Sequence, residues 1–302
     1  MSVIEVHDLA KRYGPQVALD GVSFTVDRGE IFGILGPNGA GKTTAVECMA
    51  GLRQAGSGTI RVLGLDPQED RHALRERVGV QLQETHLQDK LRVWEALDLY
   101  ASFYPHPADW QELLTAWGLG GKRDAMVGRL SGGQKQRLFI ALALVGRPEL
   151  VFLDELTSGL DPQARRLTWD LVKQIRDSGV TVVLVTHFMD EAEELCDRVA
   201  IFDRGQIAAL DSPDGLIEQA GSTHRLLFRP AGGLEESELA GLPGVTGVSR
   251  EAGRVVVTGR GDFASAVTSE LARRNVLVAD LRIEGRNLDE AYVALTGHTM
   301  DV

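Results

Sequence analysis

Residues 30–51 read EIFGILGPNGAGKTTAVECMAG. The middle of this stretch, residues 36–43, fits G-x-x-x-x-G-K-[ST], the pattern of a loop that cradles phosphates. Ile31–Leu35 ahead of it is a short apolar run and predicts a buried strand. Residues 43–50 after it have helical composition, and Gly51 can close that helix in a left-handed conformation. Gly36, Gly39 and Gly41 let the backbone curl until its N–H groups point at phosphate oxygens, with Pro37, Asn38 and Ala40 between them. The helix start adds the positive end of its dipole. Lys42 is placed to neutralise β- and γ-phosphates, and the Thr43 hydroxyl, with Thr44 behind it, to meet a Mg²⁺ ion. The stretch predicts a nucleoside triphosphate site.

The chain has 302 residues, room for one large domain or for a large one and a small one. No run of eighteen apolar residues occurs, and the first residues lack the basic segment and apolar core of a signal peptide. Cys48 and Cys196 stand far apart and read as buried small hydrophobes in a reducing compartment, so a cytosolic location is expected. The formal net charge of −11 argues against sequence-independent nucleic-acid binding.

Further motifs follow the loop. Residues 149–155, ELVFLDE, are an apolar strand ending in two carboxylates, and chemistry at strand ends is what an open parallel sheet offers. Asp154 suits a metal or its waters, and Glu155 suits orienting and deprotonating an attacking water. Residues 130–134, LSGGQ, precede a helix expected to run to Gly146; Ser131 is a good N-cap, and Gly132 and Gly133 at a helix start make a second anion-binding device. Residues 158–162, SGLDP, turn into another helix. A second β-rich run over 180–185 ends in Thr186 and His187. Tyr13, before a turn, either packs on its neighbours or stacks on a base. Residues 78–84 read as a short strand running into polar residues, where Gln81 and Gln83 are either solvated loop glutamines or able to reach a metal or a water through a carbonyl.

Strands alternating with helices imply an α/β domain, a mostly parallel sheet with helices on both faces. Residues 1–218 are assigned to it, with an N-terminal antiparallel part and an inserted helical part at about 84–146. In that insert Trp94, Tyr100, Phe103, Trp110 and Trp117 read first as core. Residues 198–210 read as one closing strand. Residues 219–224 read as a linker, and 225–302 as a small α+β domain whose element order fits a ferredoxin-like split βαβ.

Together these motifs resemble the ATP-binding subunit of ABC transporters over about residues 3–218. A phosphate loop alone indicates only an NTPase; LSGGQ some twenty residues ahead of a strand ending in LDE is the specific signal. The resemblance implies that Tyr13 stacks on adenine and that Gln83, followed by Glu84, contacts Mg²⁺ and couples to a membrane subunit. It implies further that Asp154 is the Mg²⁺-associated aspartate, Glu155 the catalytic glutamate, and His187 the γ-phosphate switch. Ser131, Gly132, Gly133 and Gln134, with Asp161, would close over ATP held by a second ATP-binding subunit in a head-to-tail dimer, expected as a homodimer. One departure is Leu156, where the family usually has proline; altered turn rigidity with intact chemistry is expected. The single cassette and the closing LDEAYVALTG resemble bacterial ABC-2-type exporter ATPases of the drug-resistance kind. ATP and Mg²⁺, a separate membrane permease, no nucleic acid and the cytoplasmic face of the membrane are the implied partners and place. The alternative is a soluble ABC-type ATPase of the cluster-assembly type; a kinase or GTPase would leave LSGGQ unexplained.

Overall fold

The structure is a computed structural model that describes every residue except 83–85, 222–223, 233, 252, 285–286 and 301–302. Two compact units divide between Pro213 and Asp214. The first, Met1–Pro213, holds strands β1 (Ser2–Tyr13), β2 (Gln16–Asp27), β3 (Ile31–Leu35), β4 (Ser57–Val62), β5 (Val78–Gln81), β6 (Leu150–Asp154), β7 (Thr181–Thr186), β8 (Arg198–Asp203) and β9 (Gln206–Asp211). β2, β1 and β4 form an antiparallel sheet, and the other six form a sheet in the order β5-β6-β7-β3-β8-β9. All pairs in that second sheet are parallel except β8 with β9.

Every residue of β3, β6 and β7 is buried. That is why they read as unbroken apolar runs, since a parallel strand covered on both faces has no solvent side to mark with polar residues. The core continues into the antiparallel sheet through Phe24, whose ring stacks on Phe32 at 5.3 Å between centroids. Such a pair contributes about 0.5–1.5 kcal/mol beyond area burial.

The structure changes three expectations. Residues 198–210 are a hairpin and not one strand, because Arg204 (φ 48°) and Gly205 (φ 82°) form a two-residue turn with both φ positive, whose twist suits paired strands. The helix after Ser131, Gly132–Leu144, stops short of Gly146. Arg147 turns left-handed there, and Gly146 lies so close to the Tyr104 ring that a Cβ would sit 2.4 Å from it. Of the five aromatic residues expected in the core, Trp94, Tyr100, Phe103, Trp110 and Trp117, only Trp117 is buried. Trp94 and Trp110 sit on a rim, 6.3 Å apart, with the Arg123 guanidinium over both rings, and Phe103 is 67% exposed.

In the second unit, Asp214–Thr299, strands β10 (His224–Pro230), β11 (Val245–Glu251), β12 (Arg254–Gly259) and β13 (Val278–Glu284) pair antiparallel in the order β11-β12-β10-β13. With helices Ser237–Ala240 and Phe263–Arg273 between them, this is the ferredoxin-like split βαβ order. Leu226, Phe228, Val255, Val257 and Phe263 fill its core.

In the first unit, β5 is pressed against the helix Gly132–Leu144 at Gly79, where a Cβ would lie 2.2 Å from the Ala143 carbonyl oxygen. Replacing Gly79 with Ala should destabilise the first unit by about 1–3 kcal/mol, the usual range for overpacking a close backbone contact. A thermal melt within 1 °C of the unaltered protein would contradict this contact.

Candidate functional site

Strand register assembles the site. Within the parallel sheet Leu35 pairs with Thr186, and Asp154 pairs with Val185. The residues that follow, Gly36, Glu155 and His187, therefore emerge together at the carboxyl edge, where open α/β sheets bind ligands. β3 is central in the order, so the phosphate loop leaves from the middle of that edge.

The loop is packed too tightly for side chains at its turning points. A Cβ on Gly36 would lie 2.3 Å from the Phe202 carbonyl oxygen, and one on Gly41 (φ 102°) 2.3 Å from that of Ala18. Gly41 is also the N-cap of the helix Lys42–Met49. Lys42 is 5% exposed, and its Nζ donates to the carbonyls of Gly36 at 2.7 Å and Pro37 at 3.0 Å. Burial lowers its pKa, while the Glu155 and Asp154 carboxylates act the other way.

Asp154 is 1% exposed, and neither of its carboxylate oxygens has a partner of hydrogen-bond geometry. Burial, with Glu155 beside it, raises its pKa to about 6 against the pull of Lys42 and the Thr43 hydroxyl. A buried oxygen pair with no donor, next to a threonine hydroxyl, fits a hard cation that binds through oxygen. Among the described residues no group of three His, Cys, Asp or Glu could hold a metal alone. That suits Mg²⁺, which is commonly held by one or two protein oxygens together with substrate phosphates.

Glu155 takes a left-handed backbone (φ 49°), rare for a residue with a side chain and costing about 1–3 kcal/mol. Its N–H donates to Val185 O at 2.9 Å, which holds the turn against β7. Its Oε1 lies 3.2 Å from His187 Nδ1, and the Ser158 hydroxyl donates to Oε2 at 3.3 Å. Leu156 is 1% exposed, so burial anchors the turn at the position of the expected proline.

Tyr13 lies at the end of β1, 39% exposed, and shares a cavity of about 280 Å³ with Asn38, Gly39, Gly41, Lys42, Thr43, Thr44 and Glu155. Lys11, two residues earlier in the same strand, stands 5.6 Å from its ring centroid, and Arg53, of which the sequence offered no sign, is brought to 5.3 Å by the fold and an ion pair with Glu47. Ser131, Gly132, Gly133 and Asp161 line a separate cavity of about 150 Å³. Ser131 and Gln134 form a reciprocal cap, with Ser131 N–H donating to Gln134 Oε1 at 3.1 Å and Gln134 N–H to Ser131 Oγ at 3.4 Å. Asp161 caps the helix Pro162–Asp177 by accepting from the N–H groups of Gln163 and Ala164. Gln83 lies outside the described residues. Gln81 is buried, and its Nε2 donates to Leu82 O at 3.0 Å.

Comparison with known proteins agrees with this geometry. The family described as ABC transporter matches residues 19–158. The daunorubicin/doxorubicin resistance ATP-binding protein DrrA of Streptomyces peucetius is 36% identical, covering 99% of this chain and 93% of that protein. A Nod factor export ATP-binding protein I of Burkholderia thailandensis is 39% identical over 98% of each chain. Among solved structures, an ATP-binding subunit of an ABC transporter superposes with a TM-score of 0.66 at 29% identity, covering 73% of this chain and 94% of that one. A dimeric cassette, MJ0796, in a post-hydrolysis state bound to ADP and Pi, superposes with a TM-score of 0.61 at 26% identity, covering 69% of this chain and 98% of that one.

The raised pKa of Asp154 makes a prediction about stability. The folded state holds this proton more tightly than the unfolded chain, so the contribution favours folding below pH 4 and is lost as pH rises to about 6. Asp154→Asn should therefore stabilise the protein without nucleotide at pH 7.5, by at most roughly 3 kcal/mol, the full worth of the shift. The two melting curves should converge near pH 4. An Asn variant that melts below the unaltered protein at pH 7.5 would refute the buried, partnerless carboxylate.

Proposed function

This chain belongs to the ATP-binding proteins of ABC transporters, of the export and resistance type, and we propose that it works as a head-to-tail dimer on a separate membrane subunit. It is an ATPase, as its family is. No helix among the described residues is long and apolar enough to cross a membrane. The relatives are export and resistance ATP-binding proteins, and they do not favour a soluble cluster-assembly ATPase.

The observation that carries the dimer is the separation of the two cavities. The phosphate loop and Glu155 line one, and Ser131, Gly132, Gly133 and Asp161 line the other, and the two would serve as the halves of a composite site. A second copy, turned to face the first, would place its Ser131 helix start against the phosphates held at Lys42, and the same contact would recur at the other site. Tyr13 would stack on the adenine, and the loop N–H groups with Lys42 would bind the phosphates. Thr43 and Asp154 would hold Mg²⁺, which would supply charge neutralisation at the phosphate oxygens. Glu155 would take the proton of the attacking water, with His187 holding its carboxylate and reaching the γ-phosphate. Hydrolysis and loss of phosphate remove the charge that both half-sites bind, and the dimer reopens.

For the membrane subunit we propose the groove of about 720 Å³ lined by Arg71, His72, Arg75, Val78, Val80 and Phe103. An exposed phenylalanine beside apolar strand residues fits a short segment of a partner chain. β5 lines the groove and ends at Gln81, two residues before Gln83 in the sequence. Seated there, the chain would lie at the cytoplasmic face of the membrane, where Gln83 would pass on the motion.

Replacing Glu155 with Gln should lower turnover by roughly 10²–10⁴-fold, the worth of a typical general base, and leave ATP binding intact. With ATP, that variant should elute as a dimer in size-exclusion chromatography. Turnover at the unaltered rate would remove Glu155 from the role, and a monomer at saturating ATP would remove the dimer. Lys42→Ala should weaken ATP binding itself, and an unchanged affinity would contradict the phosphate-loop assignment.

A further inference from the structure

Glu191 is a fully buried carboxyl, 0% exposed, in the helix Met189–Leu195 that follows His187. A buried acid is costly unless its oxygens find donors. Its Oε1 accepts from Trp169 Nε1 at 3.0 Å. Thr186 and Thr157, both 0% exposed, lie beside it, while its Oε2 and the Thr157 hydroxyl have no partner of hydrogen-bond geometry. These neighbours come from three segments that bear on the proposed chemistry. Trp169 is on the helix Pro162–Asp177, whose N-cap is Asp161. Thr186 ends β7, one residue before His187. Thr157 lies two residues past Glu155 in the turn that holds it.

A second link joins the same pair of helices next to Glu191. Arg165, one helical turn before Trp169, lays its guanidinium over the Phe188 ring at 4.5 Å, and its Nη1 donates to Asp190 at 3.2 Å. Phe188 in turn packs on the His187 ring, with centroids 4.1 Å apart. The helix that starts at the Asp161 cavity is thus joined to the segment after His187 by an ion pair, a ring contact and the Trp169–Glu191 hydrogen bond.

We propose that Glu191 is a positioning residue for hydrolysis: its buried carboxyl ties the Asp161 helix to the helix that follows His187, beside the Glu155 turn, and so holds the Glu155–His187 pair in register. The proposal rests on the roles given above to Glu155 and His187. Through it a shift of Asp161, which faces the half-site contributed to the partner, would reach the residues that act on the chain's own ATP. Burial raises the Glu191 pKa, with Thr186, Thr157, Trp169 and Arg165 acting against it, so a neutral group of the same shape should serve nearly as well.

The test is steady-state ATP hydrolysis by the full chain with Glu191→Leu, Glu191→Gln, Glu155→Gln and the Glu155→Gln/Glu191→Leu double variant. Glu191→Leu, which keeps volume and removes every polar contact, should lower kcat about tenfold with KM for ATP within about twofold, the pattern of lost positioning without lost ground-state binding. Glu191→Gln should recover kcat to within about threefold of the unaltered chain, because it keeps an acceptor for Trp169. In the Glu155→Gln background the Leu substitution should cost nothing further, since residues that act through one another are not additive. A kcat for Glu191→Leu within twofold of the unaltered protein, or a tenfold loss repeated in full on top of Glu155→Gln, would overturn the proposal. If Glu191→Leu does not fold, Trp169→Phe, which removes only the donor, decides instead. A kcat loss of about threefold at constant KM supports the link, and no loss refutes it. Turnover of Glu155→Gln at the unaltered rate would sink the assignment of Glu155 and this proposal with it. A fall in Glu155→Gln with an unaffected Glu191→Leu would sink this proposal alone.

Discussion

The parallel pairing of β3, β6 and β7 is the constraint on which the site depends. One hydrogen-bonded register, Leu35 to Thr186 and Asp154 to Val185, decides that the phosphate loop, the acidic pair and His187 leave the sheet at one edge. A slip of one residue would turn every side chain of a strand to the opposite face. It would place Asp154 away from Lys42 and break the Glu155 N–H bond to Val185. Full burial of all three strands enforces this register, because any other one would leave their apolar side chains in poorer contact.

On this edge the protein concentrates groups that are costly alone. Lys42 is buried with an ammonium satisfied by two loop carbonyls, and Asp154 is buried with neither oxygen in hydrogen-bond geometry. Glu155 adds a strained backbone to a carboxylate beside another carboxylate. Each is unfavourable without a ligand, and each is relieved by a polyanion with a divalent cation. A site built this way gives up stability when empty and gains it on binding, a common trade at functional sites. The same arithmetic would suit the proposed dimer, in which the binding energy of the phosphates would be shared between two surfaces.

The helical insert and the second unit follow a different logic. The insert buries few of its aromatics and leaves Phe103 standing on the rim of a groove. The 3.6-residue spacing that predicts a core stripe is the same spacing that makes a docking stripe, so periodicity could not separate them. The second unit was legible as a ferredoxin-like order because its pattern of alternating strands and two helices allows few antiparallel arrangements, and the observed order is one of them. The closing hairpin of the first unit was missed because Arg204 in a left-handed conformation is an unusual turn residue, and only Gly205 carried a turn signal.

What the sequence determined by itself is local chemistry. Residues 36–43 must curl, because Gly36 and Gly41 tolerate the curl and Lys42 follows directly. Ser131 and Asp161 must start helices, because their oxygens accept the first free N–H groups, and the structure shows both caps. Such features depend on neighbours within a few residues and survive in any context. Only the tertiary structure decided what lies across space: that Arg53 comes over Tyr13, that Glu155 meets His187, that the Ser131 helix start and the phosphate loop open into separate cavities, and that Glu191 meets Trp169. Those contacts depend on which strands pair and how helices pack between them. Packing of that kind is set by the sum of many weak apolar contacts, and no short stretch of sequence carries it.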